Sequence, residues 1–395
     1  MTRIRDFDEL RAPSGAADSD IARLYSEVPD ALPDDEVRFL LSIFAFASGA
    51  VAQEHAVTPL GESPPLWYEF RASVNDGGLI AWSQVVAASV EARLTNVPAG
   101  TQVDLHAIAK RDIAAGTIRS QAHELSNAGD VAGFVSSKTV EGDRQAVLWT
   151  PRAGGYVAVN LHASATEDYL MSAAYGVTEP QSGSVIAVGY ERERISPTTL
   201  SQPVYWTVNR ATGASSKAAL PLSAATHNYG IAYSISEPDL PTRRFACGVA
   251  LRAAASVPAQ AGAHFTEAGC WTFTRNGQAW TPGEFTPIAE TRVGADNAIA
   301  TSVVNRVRTV DLGPVRGAQT LAVGYVVDLN GNVSGFVKNL TTGAYDNQFE
   351  IAPGAHSILS DVTSMVYALE NRPAEDHAYG PVLVGVSSSV HCVSS

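Results

Sequence analysis

The chain has 395 residues, 45% hydrophobic and 17% charged, enough to bury a large core in one continuous array. A net charge of −13 with a pI near 5.1 leaves no basic stripe to neutralise phosphates. That excludes nucleic acid as a partner and disfavours anionic lipid surfaces.

Residues 1–36 are polar and acidic, with Pro29, Pro33 and the run Asp34-Asp35-Glu36. Residues 37–52 then join one basic residue, Arg38, to an apolar stretch from Phe39 to Ala47, with Ala50 and Ala52 behind it. That order predicts a signal peptide cleaved after Ala52. Acidic residues directly upstream of such a segment are out of place, a conflict that disappears if translation begins at Val37. The competing reading is a helix capped by Asp34 or Asp35 and packed under the rest of the fold. Either way, the run is too short to span a bilayer. The organisation that follows is a polar leader over 1–36, a signal segment over 37–52, and a single β domain over 53–395.

Within that domain the chain repeats itself. His106, in Val103-Asp104-Leu105-His106-Ala107, precedes Gly133 of Val131-Ala132-Gly133-Phe134. His162, in Val159-Asn160-Leu161-His162-Ala163, precedes Gly189 at the same spacing. A short apolar strand with a central glycine appears five times, at Gly133, Gly189, Gly248, Gly324 and Gly385. A strand carrying an aromatic residue follows four of them, with Trp149, Trp206, Trp271 and, in the fourth, Phe336. Before the glycine strand stand two more short segments, Tyr156–Ala163 and Ala174-Tyr175-Gly176-Val177 in the second unit. Asn228-Tyr229-Gly230-Ile231-Ala232 echoes the latter in the third.

Each unit thus reads as about four short strands rich in Val, Ile, Tyr, Phe and Trp, divided by turn residues. Asn330-Gly331-Asn332 between two apolar runs is a hairpin signal. Modules of this kind in series predict an all-β protein, a β-propeller of five or six four-stranded blades. The glycines are expected where backbones crowd near the axis, and the indoles between neighbouring blades. Residues 78–110 form a degenerate further unit, with strands at Leu79–Val86 and Ser89–Leu94. Pro65–Phe70, centred on Trp67, has no glycine strand before it, and the last glycine strand, Val382–Ser388, has no Trp strand after it. Pairing the N- and C-terminal strands would close the ring and remove an open edge. A sandwich built from the same strands is the alternative.

The stretch from Leu125 through Asn127-Ala128-Gly129-Asp130 to Phe134, followed by Ala146-Val147-Leu148-Trp149-Thr150, resembles the repeat of the HAF family of probable extracellular repeat proteins. The resemblance is good over this unit, fair over the second and weak over the others. It departs at Val147, where the family usually carries Phe. It implies a secreted or surface-associated, propeller-like protein of unassigned activity, and supplies no catalytic residues.

Cys247 and Cys270 occupy equivalent places in consecutive strands of one unit, on one face. Either a disulfide in an oxidising compartment or two buried thiols fits. Chemical motifs are otherwise scarce. No nucleophile elbow, phosphate loop or metalloprotease helix occurs, so no catalytic, cofactor or metal residues are assigned. His106 and His162 recur as strand residues of the repeat rather than as metal ligands. Asp328 to Ser334 alternates oxygen side chains as calcium loops do but lacks the closing Glu, and a hairpin accounts for it. Glu191-Arg192-Glu193-Arg194 reads as an exposed, self-neutralising run.

The richest polar loop carries Glu370, Arg372, Glu375, Asp376 and His377, the candidate binding residues. The expected function is a non-catalytic binding or structural module for an extracellular glycan or peptide, secreted, periplasmic or on the cell surface. The alternative is an extracellular polysaccharide hydrolase or lyase with its site in the axial funnel.

Overall fold

The computed structural model describes residues 73–387 except 76, 87–88, 138–142, 163–168, 194–200, 224–226, 253–265, 278, 289–298, 312–316, 329–332, 344–356 and 368–377. The leader, the signal segment, Trp67 and the loop holding Glu370, Arg372, Glu375, Asp376 and His377 lie outside the described residues.

The described chain is a succession of antiparallel meanders. The first sheet contains β1 (Ser73–Val74), β2 (Leu79–Val86), β3 (Ser89–Asn96) and β4 (Thr101–Asp104) in that order. A helix, α1 (Leu105–Asp112), follows; the Asp104 carboxylate accepts from Ala107 N at 2.8 Å and caps it. The second sheet is β5 (Arg119–Leu125), β6 (Val131–Ser136), β7 (Gln145–Arg152) and β8 (Gly155–Asn160). The third is β9 (Tyr169–Val177), β10 (Ser184–Glu193), β11 (Ser201–Asn209) and β12 (Ser215–Ala219).

The fourth meander is β13 (His227–Ile235), β14 (Arg243–Arg252), β15 (Thr266–Asn276) and β16 (Ala279–Pro287). A fifth, β17 (Ile299–Asp311), β18 (Ala318–Asp328) and β19 (Val333–Asn339), touches it through the single parallel pair Thr266↔Thr301. The strands β20 (Ser357–Tyr367) and β21 (Ala378–Ser387) form the last pair. The region from 78 to 110 therefore supplies three strands, β2 to β4, of a four-stranded unit that opens earlier, at β1. Val327↔Val333 makes the Asp328 segment a hairpin.

Hydrophobic cores lie between consecutive sheets, not inside any one of them. Leu148, Val159 and Leu161 of the second sheet meet Val177, Val185 and Trp206 of the third. Ile186, Val188 and Leu220 meet Ala246, Trp271 and Phe273 of the fourth. Phe245, Cys247 and Cys270 meet Val304, Val307 and Phe336 of the fifth. Each intermediate sheet is thus covered on both faces, which is why its strands read as nearly continuous apolar runs.

Indoles do fill these seams. Trp149 donates from Nε1 to the Leu105 carbonyl just past the first sheet, at 2.9 Å, and Trp271 to the Pro221 carbonyl just past the third, at 2.8 Å. Both are fully buried.

Several sequence expectations need correction. Tyr156–Asn160 is the outer strand of the second sheet, paired with β7, and does not open the third unit. The phase of the repeat is shifted by one strand, because a hairpin at Gly154-Gly155 returns the chain to β7 before it leaves. The true echo of Ala174-Tyr175-Gly176-Val177 is Ala232-Tyr233-Ser234-Ile235, as the pairings to Gly189 and Gly248 show. His106 lies in α1 and His162 beyond β8, so neither is a strand residue. Glu191 is buried and holds Lys217 Nζ at 2.7 Å, rather than standing in solvent, because β10 continues through it.

The repeated glycine also has a different cause from axial crowding. In every unit the strand before it carries a β-bulge directly opposite, and a bulge carbonyl occupies the place of the missing side chain. A Cβ on Gly133 or Gly189 would stand 1.9 Å from the carbonyl oxygen of Gln121 or Ala173. On Gly324 it would stand 2.0 Å from that of Val303. Gly385 faces a bulge between Leu359 and Asp361 in the same way.

Candidate functional site

The bulge adds one residue to each first strand. These residues are His123, Tyr175, Tyr233 and Asn305 in the second to fifth meanders. Three of them, His123, Tyr175 and Tyr233, gather instead of dispersing around the molecule. The His123 and Tyr175 rings stack at 4.3 Å, and Tyr233 meets Tyr175 edge-on at 5.2 Å. His123 Nδ1 lies 2.9 Å from the Ala174 carbonyl, so that nitrogen carries the proton and donates it.

The next register place is occupied in turn by Ser73, Glu124, Gly176, Ser234 and Arg306. These also converge. Glu124 Oε1 lies 2.9 Å from Arg306 and accepts from Ser234 Oγ at 3.1 Å. The Arg306 guanidinium also reaches the His123 carbonyl. Gly176 leaves the room they need: a Cβ there would fall 2.9 Å from Glu124 Oε2 and 2.8 Å from Ser234 Cα. Ser73 Oγ accepts from Leu125 N of the second sheet and from Arg308 of the fifth meander, so the two ends of this series are in contact. Ser73, His123, Glu124, Ser234 and Arg306 are all sealed from water.

Chemically this centre is a buried ion pair that also binds the Ser234 hydroxyl, with the His123 imidazole held beside it on the Ala174 carbonyl. A charge pair held this way has its hydrogen-bonding capacity turned inward.

A second set of groups stitches neighbouring sheets. Ala92 N donates to Ser120 Oγ at 2.9 Å, Ala146 N to Ser172 Oγ at 2.9 Å, and Ala268 N to Ser302 Oγ at 2.8 Å. His106 Nδ1 and His162 Nδ1 meet the first two hydroxyls at 2.9 and 2.7 Å, which explains why these histidines recur. At the seam between the third and fourth sheets the donor place holds Pro203 and the acceptor place Gly230, so both partners are absent together.

Cys247 and Cys270 are joined by a disulfide across β14 and β15, within the core shared with the fifth meander, and Cys247 is the register partner of Ser234. Among the described residues no three His, Cys, Asp or Glu side chains are grouped as a metal site, and no helix is long and apolar enough to cross a membrane. The central residues escape sequence reading because each comes from a different sheet. The one local signal is a small residue, a bulge residue and a polar residue in sequence, as in Ala122-His123-Glu124 and Ala232-Tyr233-Ser234.

No family model and no curated protein matches the chain. Among solved structures it is similar to an ACO/RPE65 chimera at 11% identity, covering 72% of this chain and 62% of that one, with a TM-score of 0.33. It is also similar to the isopeptidase AtxE2 in its apo form at 12% identity, covering 74% and 54%, with a TM-score of 0.22. The chain therefore spans less than two thirds of the length of either.

Proposed function

We propose that the chain is a secreted or surface-associated β-propeller of six blades, acting as a non-catalytic binding or structural module for an extracellular glycan or peptide. The observation that carries this reading is the origin of the central groups. They stand at one register place in successive sheets and bond to each other, as expected of a scaffold. An enzyme site needs non-equivalent groups left free to meet a substrate.

Ring closure is supported by Ser73, which accepts from both the second and the fifth meander. The pair β20–β21, with its own bulge opposite Gly385, takes the sixth place of the proposed ring. The Cys247–Cys270 bridge supports an oxidising compartment. So does the signal-like segment over 37–52, and the polar loop at Glu370–His377 remains the proposed contact surface.

Glycan-array binding run beside turnover assays on the same glycans tests the reading. Retained binding without product is the expected result. Chain cleavage of a bound glycan would replace the module with the hydrolase or lyase reading.

A further inference from the structure

β15 ends at Asn276 and β16 begins at its register partner Ala279, so the chain reverses within two residues. Asn276 and Gly277 are both exposed, and Gly277 lies in the left-handed region with φ +63°. A Cβ on Gly277 would meet nothing within 4 Å, so this position stands clear of the rest of the molecule. Among the described residues, nothing bonds the Asn276 side chain or the Gly277 N–H.

Other asparagines of the described chain are held differently. Asn75, Asn96, Asn160, Asn209 and Asn339 each use the side-chain oxygen to accept from a backbone N–H two to four residues further on. Asn276 is also the one described asparagine followed by glycine. A side-chain oxygen spent on a backbone N–H holds the side chain in one rotamer, and a Cβ on the next residue crowds any approach to that residue's nitrogen. Asn276 has neither restraint.

We propose that Asn276 is a site of spontaneous modification, at which attack by the Gly277 amide nitrogen expels the side-chain amide and leaves aspartate or isoaspartate at the hairpin tip. This goes beyond the binding reading and does not depend on it.

Hydroxide removes the Gly277 amide proton, and the nitrogen attacks Asn276 Cγ. The N–Cγ bond forms, the Cγ–Nδ2 bond breaks, and the departing nitrogen takes a proton from water to leave as ammonia. Water then opens the cyclic imide. Cleavage of the new N–Cγ bond gives aspartate on the original chain. Cleavage of the bond from that nitrogen to the Asn276 main-chain carbonyl reroutes the chain through the side chain as isoaspartate. One water is consumed and one ammonia released, with no change of oxidation state.

Either product puts a carboxylate one residue from Arg275, whose Nε donates to the Gly277 carbonyl at 3.0 Å and whose guanidinium lies 5.8 Å from the Trp280 ring. In the isoaspartate form the turn between Asn276 and Ala279 also gains a methylene in its main chain.

The test incubates the full chain at mildly alkaline pH, folded and in denaturant, and maps peptides by mass spectrometry in ordinary and heavy-oxygen water. In the folded protein the Asn276 peptide should gain the mass difference between an amide and an acid, take up one solvent oxygen, and split into aspartate and isoaspartate products. Its rate should stay within about tenfold of that in the unfolded chain, as for a site whose local opening costs close to nothing. Asn276→Gln, a change at an exposed position, should fold as the wild type does and lose the mass gain at that peptide. An Asn276 peptide that stays intact in the folded chain while converting in denaturant, or a gain that persists in Asn276→Gln, would overturn the proposal.

Discussion

The carboxylate of Glu124 and the guanidinium of Arg306 lie 2.9 Å apart, on first strands of the second and fifth meanders, with both side chains sealed from water. Neither neighbours the other in sequence or in sheet order. They meet because the bulge before each turns the following residue toward the same centre, where Gly176 leaves space for the Glu124 carboxylate.

The pair should therefore behave as a coupled buried ion pair. Removing one partner strands a charge in the core, so Glu124→Gln or Arg306→Met alone should cost about 3 to 5 kcal/mol. Replacing both with apolar residues, as Glu124→Leu with Arg306→Met, should cost much less than the sum of the two single changes. A double-mutant cycle by denaturant unfolding measures this. Additive single costs would mean that the two groups are held independently.

The bulge glycines lead to a sharper contrast. Gly189→Ala places a methyl 1.9 Å from the Ala173 carbonyl, a backbone atom that cannot swing aside, and should cost about 3 kcal/mol or more, or prevent folding. Gly116→Ala meets nothing within 4 Å, has no left-handed backbone, and should stay within about 0.5 kcal/mol of wild type. Thermal melts of the two variants side by side check the cause assigned to the repeat glycine.

How much of this was readable in the sequence follows from where each signal lies. Strand after strand is legible in local composition: Val131–Val135 and Val185–Glu191 fall within β6 and β10, and the Trp149, Trp206 and Trp271 strands sit where their alternation and turns place them. The phase of the unit is not legible, because Tyr156–Asn160 lies equally close in sequence to both units and only its pairing with β7 decides. The bulges were invisible, since an extra residue has no composition of its own. With them went the central cluster, whose members are brought together by registers in four separate sheets. His106 and His162 recur visibly in the sequence, but their partners Ser120 and Ser172 come from the following sheet and carry no local signal.

His106 gives the fold a pH dependence on the acid side. Burial dominates and lowers its pKa below the ordinary 6.5, against the attraction of Glu91 and with help from Lys110. The unfolded chain then takes up a proton more readily than the folded one, so stability is full above 6.5 and falls as pH drops below it. His106→Asn, which keeps a polar group toward Ser120 Oγ but cannot ionise, should remove that acid-side loss. Melting temperatures of wild type and variant between neutral and mildly acid pH should diverge on the acid side. If they run in parallel, the imidazole does not titrate on unfolding.

The Cys247–Cys270 bridge joins directly paired residues of β14 and β15, so the sheet already holds them together and the bond acts mainly on the unfolded chain. With the two cysteines 23 residues apart, closing that loop should contribute about 3 kcal/mol in the chain-entropy account. Replacing both with alanine should lower stability by that amount plus the cost of the lost sulfur packing against Val304 and Phe336. Both sulfurs are buried in the core between the fourth and fifth meanders, so reductant alone should act slowly on the folded protein and quickly once denaturant opens that seam. Thiol labelling under reductant, with and without partial denaturation, measures the two rates. Equal rates would place the bridge at the surface instead of in the seam.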